Sequence, residues 1–112
     1  MNAVRNSVEL VGHLGKRPEV KHLEGGKVVA NFSLATSEFF TTREGEKRQE
    51  TQWHNIVTWG KTALLAEESL DKGSEVSVKG KLVYRTYEDK QGVKRYVTEV
   101  IADQLSLVEK SQ

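Results

Sequence analysis

Residues 51–61 read TQWHNIVTWGK and hold both tryptophans of the chain, Trp53 and Trp59. On an extended strand, side chains alternate between faces with a period of two. One face then carries Trp53, Asn55, Val57 and Trp59, and the other carries Gln52, His54, Ile56 and Thr58. The two indoles share a face, about 20 Å apart at a rise of ~3.3 Å per residue. On a helix, at about 100° per residue, they would diverge by roughly 120°. Thr51, Ile56, Val57, Thr58 and both tryptophans favour extended structure, so the stretch is read as a strand. Neither face is a clean apolar one. Whether the indole face meets core or solvent decides what the protein does.

Working outward, SVELVGHL (residues 7–14) alternates with Val8, Leu10, Gly12 and Leu14 on one side, which predicts a half-buried strand ended by GKRP. VVANFSLATS is a second strand, preceded by turn glycines in EGG. TTREGEKRQE (residues 41–50) reads as a charged loop, and the tryptophan stretch is strand three. KTALLAEESLDKG carries the helical pattern, with Ala63, Leu64, Leu65, Ala66 and Leu70 as its apolar face and Gly73 as its stop. SEVSVKGKLVYRTYED alternates again, placing Val76, Val78, Gly80 and Leu82 inward and Lys79, Lys81, Val83, Arg85 and Tyr87 outward. EDKQGVK is a hairpin turn, and RYVTEVIADQLSLV is strand five. The expectation is an all-β fold: a five-stranded Greek-key OB-fold barrel with one α-helix between strands three and four. The helix position distinguishes it from other small barrels. The barrel is expected to occupy residues 1–108, leaving 109–112 as a short C-terminal end.

A chain of 112 residues supplies one core. A formal charge of +1 does not by itself point to a nucleic-acid partner, so the placement of charge has to carry that argument. The absence of cysteine excludes disulfides and thiolate metal sites and suits a reducing cytoplasm. No apolar run approaches the ~18 residues of a membrane span, and the N-terminus has no signal core. A cytoplasmic protein without a membrane partner is expected.

Lys79, Lys81, Arg85 and Tyr87 form an outward row, and residues 39–48 add Phe39, Phe40, Arg43, Lys47 and Arg48. Cations that follow a phosphate backbone, interleaved with aromatic plates, suit single-stranded nucleic acid. Its unpaired bases stack on rings for about 1–3 kcal/mol each. The residues alone leave a second reading open, in which the tryptophans are core. An enzyme is not expected. His13, His22 and His54 lie in separate segments without metal-ligand spacing, and EGGK and EGEK lack the spacing of a phosphate-binding loop. No cofactor or metal is expected.

VELVGHLGKRPEV, VANFSLATSE, TQWHNIVTWGK and KGKLVYRTYEDKQGVKRYVTEV closely resemble the bacterial single-stranded DNA-binding protein family, in order, from about Asn6 to Val108. The resemblance implies an OB-fold homotetramer that coats single-stranded DNA in replication, recombination and repair, in the nucleoid-associated cytoplasm. It places base-stacking aromatics at Phe40, Trp53, Trp59 and Tyr87. Basic positions fall on Lys61, Lys72 and Arg85, with Lys81 in the same row, and less strictly on Arg43 and Lys47. His54 matches a histidine of the tetramer interface. Lys16 and Arg17 replace a pair that is often polar or acidic, making that turn more basic. Val83 stands where an arginine is frequent, removing one phosphate contact. Glu9 stands where a hydrophobic residue is usual on the strand that helps pair subunits. Family members continue into a tail with acidic residues and a terminal phenylalanine that recruits replication and repair proteins. This sequence ends in LSLVEKSQ, so tail-dependent recruitment is not expected of it. The runner-up is a primosome-type OB-fold scaffold, which would need a weaker aromatic set.

Overall fold

The computed structural model describes residues 5–108. Strands β1 (Val8–Leu14), β2 (Glu19–His22), β3 (Val28–Thr41) and β4 (Lys47–Trp59) precede helix α1 (Gly60–Ser69). Strands β5 (Glu75–Glu88) and β6 (Lys94–Leu107) follow it. The sheet order is β1-β5-β6-β4-β3-β2, and an added β1–β3 pairing at His13↔Ala35 and Leu14↔Leu34 closes the barrel. Closure needs Gly12, because a Cβ there would run into the Ala35 carbonyl.

The expected barrel and the helix that follows the tryptophan strand are present, and three details differ. Glu19–His22 forms a short additional strand against Val28–Asn31, so α1 follows the fourth strand of six. Residues 41–50 are not a loop. β3 and β4 pair without interruption from Val29↔Trp59 to Thr41↔Lys47, leaving a turn of Thr42–Glu46. Polar side chains are no obstacle where both faces of a hairpin meet water. The helix begins at Gly60 and buries only Ala63 and Ala66, with Leu70 as its buried C-cap, while Leu64 and Leu65 are exposed.

The core is filled from one side of each strand. Even-numbered Val28, Ala30, Phe32 and Leu34 of β3 meet Ile56, Val76, Val78, Val100 and Ala102, and α1 packs against β3, β6 and β4. Large-to-small changes here, such as Leu34→Ala, carry the usual cost of about 2–5 kcal/mol. Thr58 is the one polar side chain buried with them among the described residues, and its Oγ1 donates to the Ala30 carbonyl at 3.1 Å. With the even positions turned inward, the odd positions of β3, β4, β5 and β6 share the outer face.

Candidate functional site

Register pairs put that outer face in rows. Ala35 lies beside Trp53, Ser33 beside Asn55, Asn31 beside Val57, and Val29 beside Trp59. The parallel β4–β6 ladder continues two of these rows, Asn55 to Glu99 and Val57 to Ile101. The β5–β6 ladder extends them to Val83 and Lys81, and adds Arg85 beside Val97 and Tyr87 beside Arg95. Trp53, Trp59, Lys81, Arg85 and Tyr87 therefore occupy one continuous face. Trp53 is 62% exposed and Trp59 50%. The indole face meets solvent.

Trp53 is nevertheless seated. A Cβ on Gly15 would come within 2.7 Å of Cζ3 and 2.8 Å of Cη2 of its ring, so the indole rests on backbone that only glycine leaves bare. Beside it a groove is lined by Gly15, Lys16, Asn31, Asn55 and Glu99, among others. The Cζ3–Cη2 edge of the ring is seated against Gly15, while most of the indole stays open to solvent, as a stacking platform has to be.

The charges are less free than their sequence positions suggest. Arg85 donates from Nε at 2.9 Å and from Nη2 at 3.1 Å to the two oxygens of Glu99. This hydrogen bond and the attraction of the carboxylate raise the arginine above its ordinary pKa. The Glu99 side chain is only 13% exposed. Glu9 sits opposite Lys79 across the β1–β5 ladder, with Lys79 Nζ 3.7 Å from its carboxylate.

Other nominated residues lie apart from the rows. Lys61 is in the first turn of α1, and Lys72 is in the turn after it, with its amide bonded to Asp71 Oδ1 at 2.7 Å. Arg43 is in the β3–β4 turn, and Lys47 opens β4. Alternation along β3 puts Phe39, beside Gln49, on the side of Trp53. Phe40, beside Arg48, falls on the other side. His54 points away from the tryptophan face, and its Nε2 shares a hydrogen bond with Thr36 Oγ1 at 2.9 Å. Sequence reasoning passed over Glu99, Tyr84 and Tyr96. The odd-residue pattern of strand five would have found Glu99. The tyrosines sit at even positions beyond the core, where the inward side has become exposed. No group of three or more potential metal ligands occurs among the described residues, and no helix among them is long and apolar enough to cross a membrane.

The family model for the single-strand binding protein family matches residues 5–108. The chain belongs to this family. The single-stranded DNA-binding protein 1 of Chlorobaculum tepidum is 41% identical over 104 residues, which is 92% of this chain and 64% of the relative. The chain thus spans under two thirds of that relative's length. A Plasmodium falciparum SSB, solved in complex with ssDNA, superposes with a TM-score of 0.86 at 34% identity. That match covers 97% of this chain and 100% of the other. A deletion mutant of the Thermus aquaticus single-stranded DNA-binding protein matches with a TM-score of 0.81 at 30% identity, over 94% of this chain and 51% of that one. The family is one of DNA-binding proteins and not of enzymes.

Proposed function

We propose that this chain binds single-stranded DNA with little sequence preference, stacking bases on Trp53 and Trp59 and on Tyr87 and a phenylalanine of the β3–β4 hairpin. The observation that carries this reading is the exposure of both indoles on one barrel face, with an edge of the Trp53 ring seated against Gly15. Lys16, Lys47, Lys61, Lys72, Lys81 and Arg43 supply positive charge for the phosphates. The family resemblance nominates Phe40 as the stacking phenylalanine, and the register favours its neighbour Phe39. The setting we infer is replication, recombination and repair of DNA in the nucleoid-associated cytoplasm. We also infer assembly into a homotetramer, with closed symmetry, involving His54 and the β1 surface around Glu9.

Titration with oligo(dT) is expected to quench the tryptophan fluorescence strongly, with much weaker binding to a duplex of the same length, because a duplex hides the base faces. Equal affinity for both forms overturns the reading, and unchanged fluorescence favours a scaffold between replication proteins. Light scattering is expected to return a mass near four chains. A monomer at micromolar concentration would remove the tetramer and point first to Glu9.

A further inference from the structure

Between the rows that carry Trp53 and Trp59 lies a polar row made by Ser33, Asn55 and Glu99, joined side to side across three strands. Resting on the proposed binding of single-stranded DNA, we infer that Glu99 gives the Trp53 subsite a preference for bases that carry an exocyclic amino group, cytosine in particular, over thymine.

The argument is one of donors and acceptors. A base stacked on Trp53 lays an edge over the groove that Asn55, Ser33 and Glu99 line. Asn55 offers both a donor and an acceptor, and a serine hydroxyl turns to suit, so neither discriminates. An ionised carboxylate only accepts. Each Glu99 oxygen gives one lone pair to Arg85, at 2.9 and 3.1 Å, and keeps further acceptor capacity. The arginine fork fixes where that capacity points. The amino group of cytosine at C4 can donate to it. Thymine presents a carbonyl oxygen at the same position, and that oxygen faces a carboxylate. Because the Glu99 side chain is only 13% exposed, water compensates this mismatch poorly, and a polar pair left unmade there costs affinity.

The bias acts against a general tendency of thymine strands to bind well, since their own stacking is weakest. The test therefore compares ratios. Affinities for oligo(dC) and oligo(dT) of equal length are measured for the wild-type chain and for Glu99→Gln. The properties of the free strands cancel between the two proteins, as does any gain from releasing Arg85. The amide of glutamine can face either base, so the dC-to-dT affinity ratio is expected to fall about threefold to tenfold in the variant, the size of one lost discriminating contact. An unchanged ratio, with both proteins binding both strands, overturns the inference and leaves the proposed function standing. Failure of the wild-type chain to bind either strand overturns the proposed function itself. A second measurement alters the base. Replacing cytosine by 2-pyrimidinone, which lacks the amino group but keeps the ring, is expected to lower wild-type affinity more than that of Glu99→Gln, because an amide oxygen accepts from the amino group less strongly than a carboxylate does. An equal loss in both proteins would sink the assignment of Glu99.

Discussion

Two hairpin arms extend past the barrel, residues 37–51 of β3–β4 and residues 84–98 of β5–β6, and their turns are built alike. In the first, the Thr42 amide donates to the Glu46 carbonyl and the Gly45 amide to the Thr42 carbonyl, at 2.8 and 3.0 Å. In the second, Asp89 bonds to Val93 and Gly92 to Asp89 in the same pattern, both at 3.0 Å. Gly45 and Gly92 take φ of 83° and 78°, a conformation that favours glycine. The charges on the two arms are arranged differently. On the β5–β6 arm Arg85 is committed to Glu99 and Arg95 to Asp89, the latter at 3.0 Å, and Lys94 Nζ lies 5.7 Å from the ring of Tyr96. On the β3–β4 arm Arg48 pairs with Glu46 at 2.8 Å, while Arg43 and Lys47 make no ion pair among the described residues. Similar backbones thus present different usable charge. A cation already neutralised within the fold has less to offer a phosphate.

The largest expected effect concerns rings, which both arms contribute. Phe39→Ala and Tyr87→Ala are each expected to weaken binding of oligo(dT) roughly tenfold or more, at about 1–3 kcal/mol per stacked base. Phe40→Ala is expected to cost less than Phe39→Ala, because Phe39 shares the side of Trp53. A greater loss for Phe40 would show that the twist of the arm overrides simple alternation.

Charge comes next. Arg43→Ala and Lys47→Ala should each flatten the log–log dependence of affinity on salt by about 0.7, the value for one phosphate contact with a single strand. Arg85→Ala and Arg95→Ala should leave the slope nearly unchanged, because their counter-ions are carboxylates of the chain itself. Equal flattening by all four substitutions would erase the distinction between the arms. Affinity measured across a salt series decides it.

The smallest effect is one of acidity. Asp89 Oδ1 accepts the amides of Gln91 and Val93, each at 2.9 Å, and Oδ2 accepts from Arg95. The bond from Val93, then that from Arg95, draws its pKa below the ordinary aspartate value. A group whose folded pKa is depressed contributes its full stabilisation above the unfolded value and loses it as pH falls through the folded one. The β5–β6 turn should therefore loosen below the ordinary carboxylate range, read as faster exchange of the Gln91 and Val93 amides after correction for intrinsic rates. The β3–β4 turn should not, because Thr42 Oγ1 accepts the Glu46 amide at 3.1 Å with a group that does not titrate. Asp89→Thr should make the two turns respond alike.

The barrel was legible because its strands alternate against a core, and the period of two survives in Val76, Val78 and Leu34 however polar the other face is. The arms were less legible for the same reason. From residue 41 to 50 nothing is buried on either side, so hydrophobic periodicity has no cause there and the strand reads as a loop. Val20 alone of β2 is partly buried, too little to mark a strand. The exposure of Trp53 and Trp59 was suggested by their polar neighbours, and the direction they face followed from parity. The commitment of Arg85 was not visible, because Glu99 lies fourteen residues away and only the β5–β6 register brings the two together.

The position of β6 in the sheet bears on how the protein is made. β6, the last strand among the described residues, lies between β5 and β4 and joins them, the latter through the parallel pairs Asn55↔Glu99 to Thr58↔Ala102. A ribosome that has delivered everything up to the β5–β6 turn has made an open sheet, β4-β3-β1-β5, held together by the β1–β3 pairs, with the β4 and β5 edges meant for β6 still bare. Long-range pairing of this kind is slow and leaves unpaired edges exposed to other chains in the interval. Completion of the barrel, and of the row from Ser33 to Glu99 with it, therefore waits until β6 has left the ribosome.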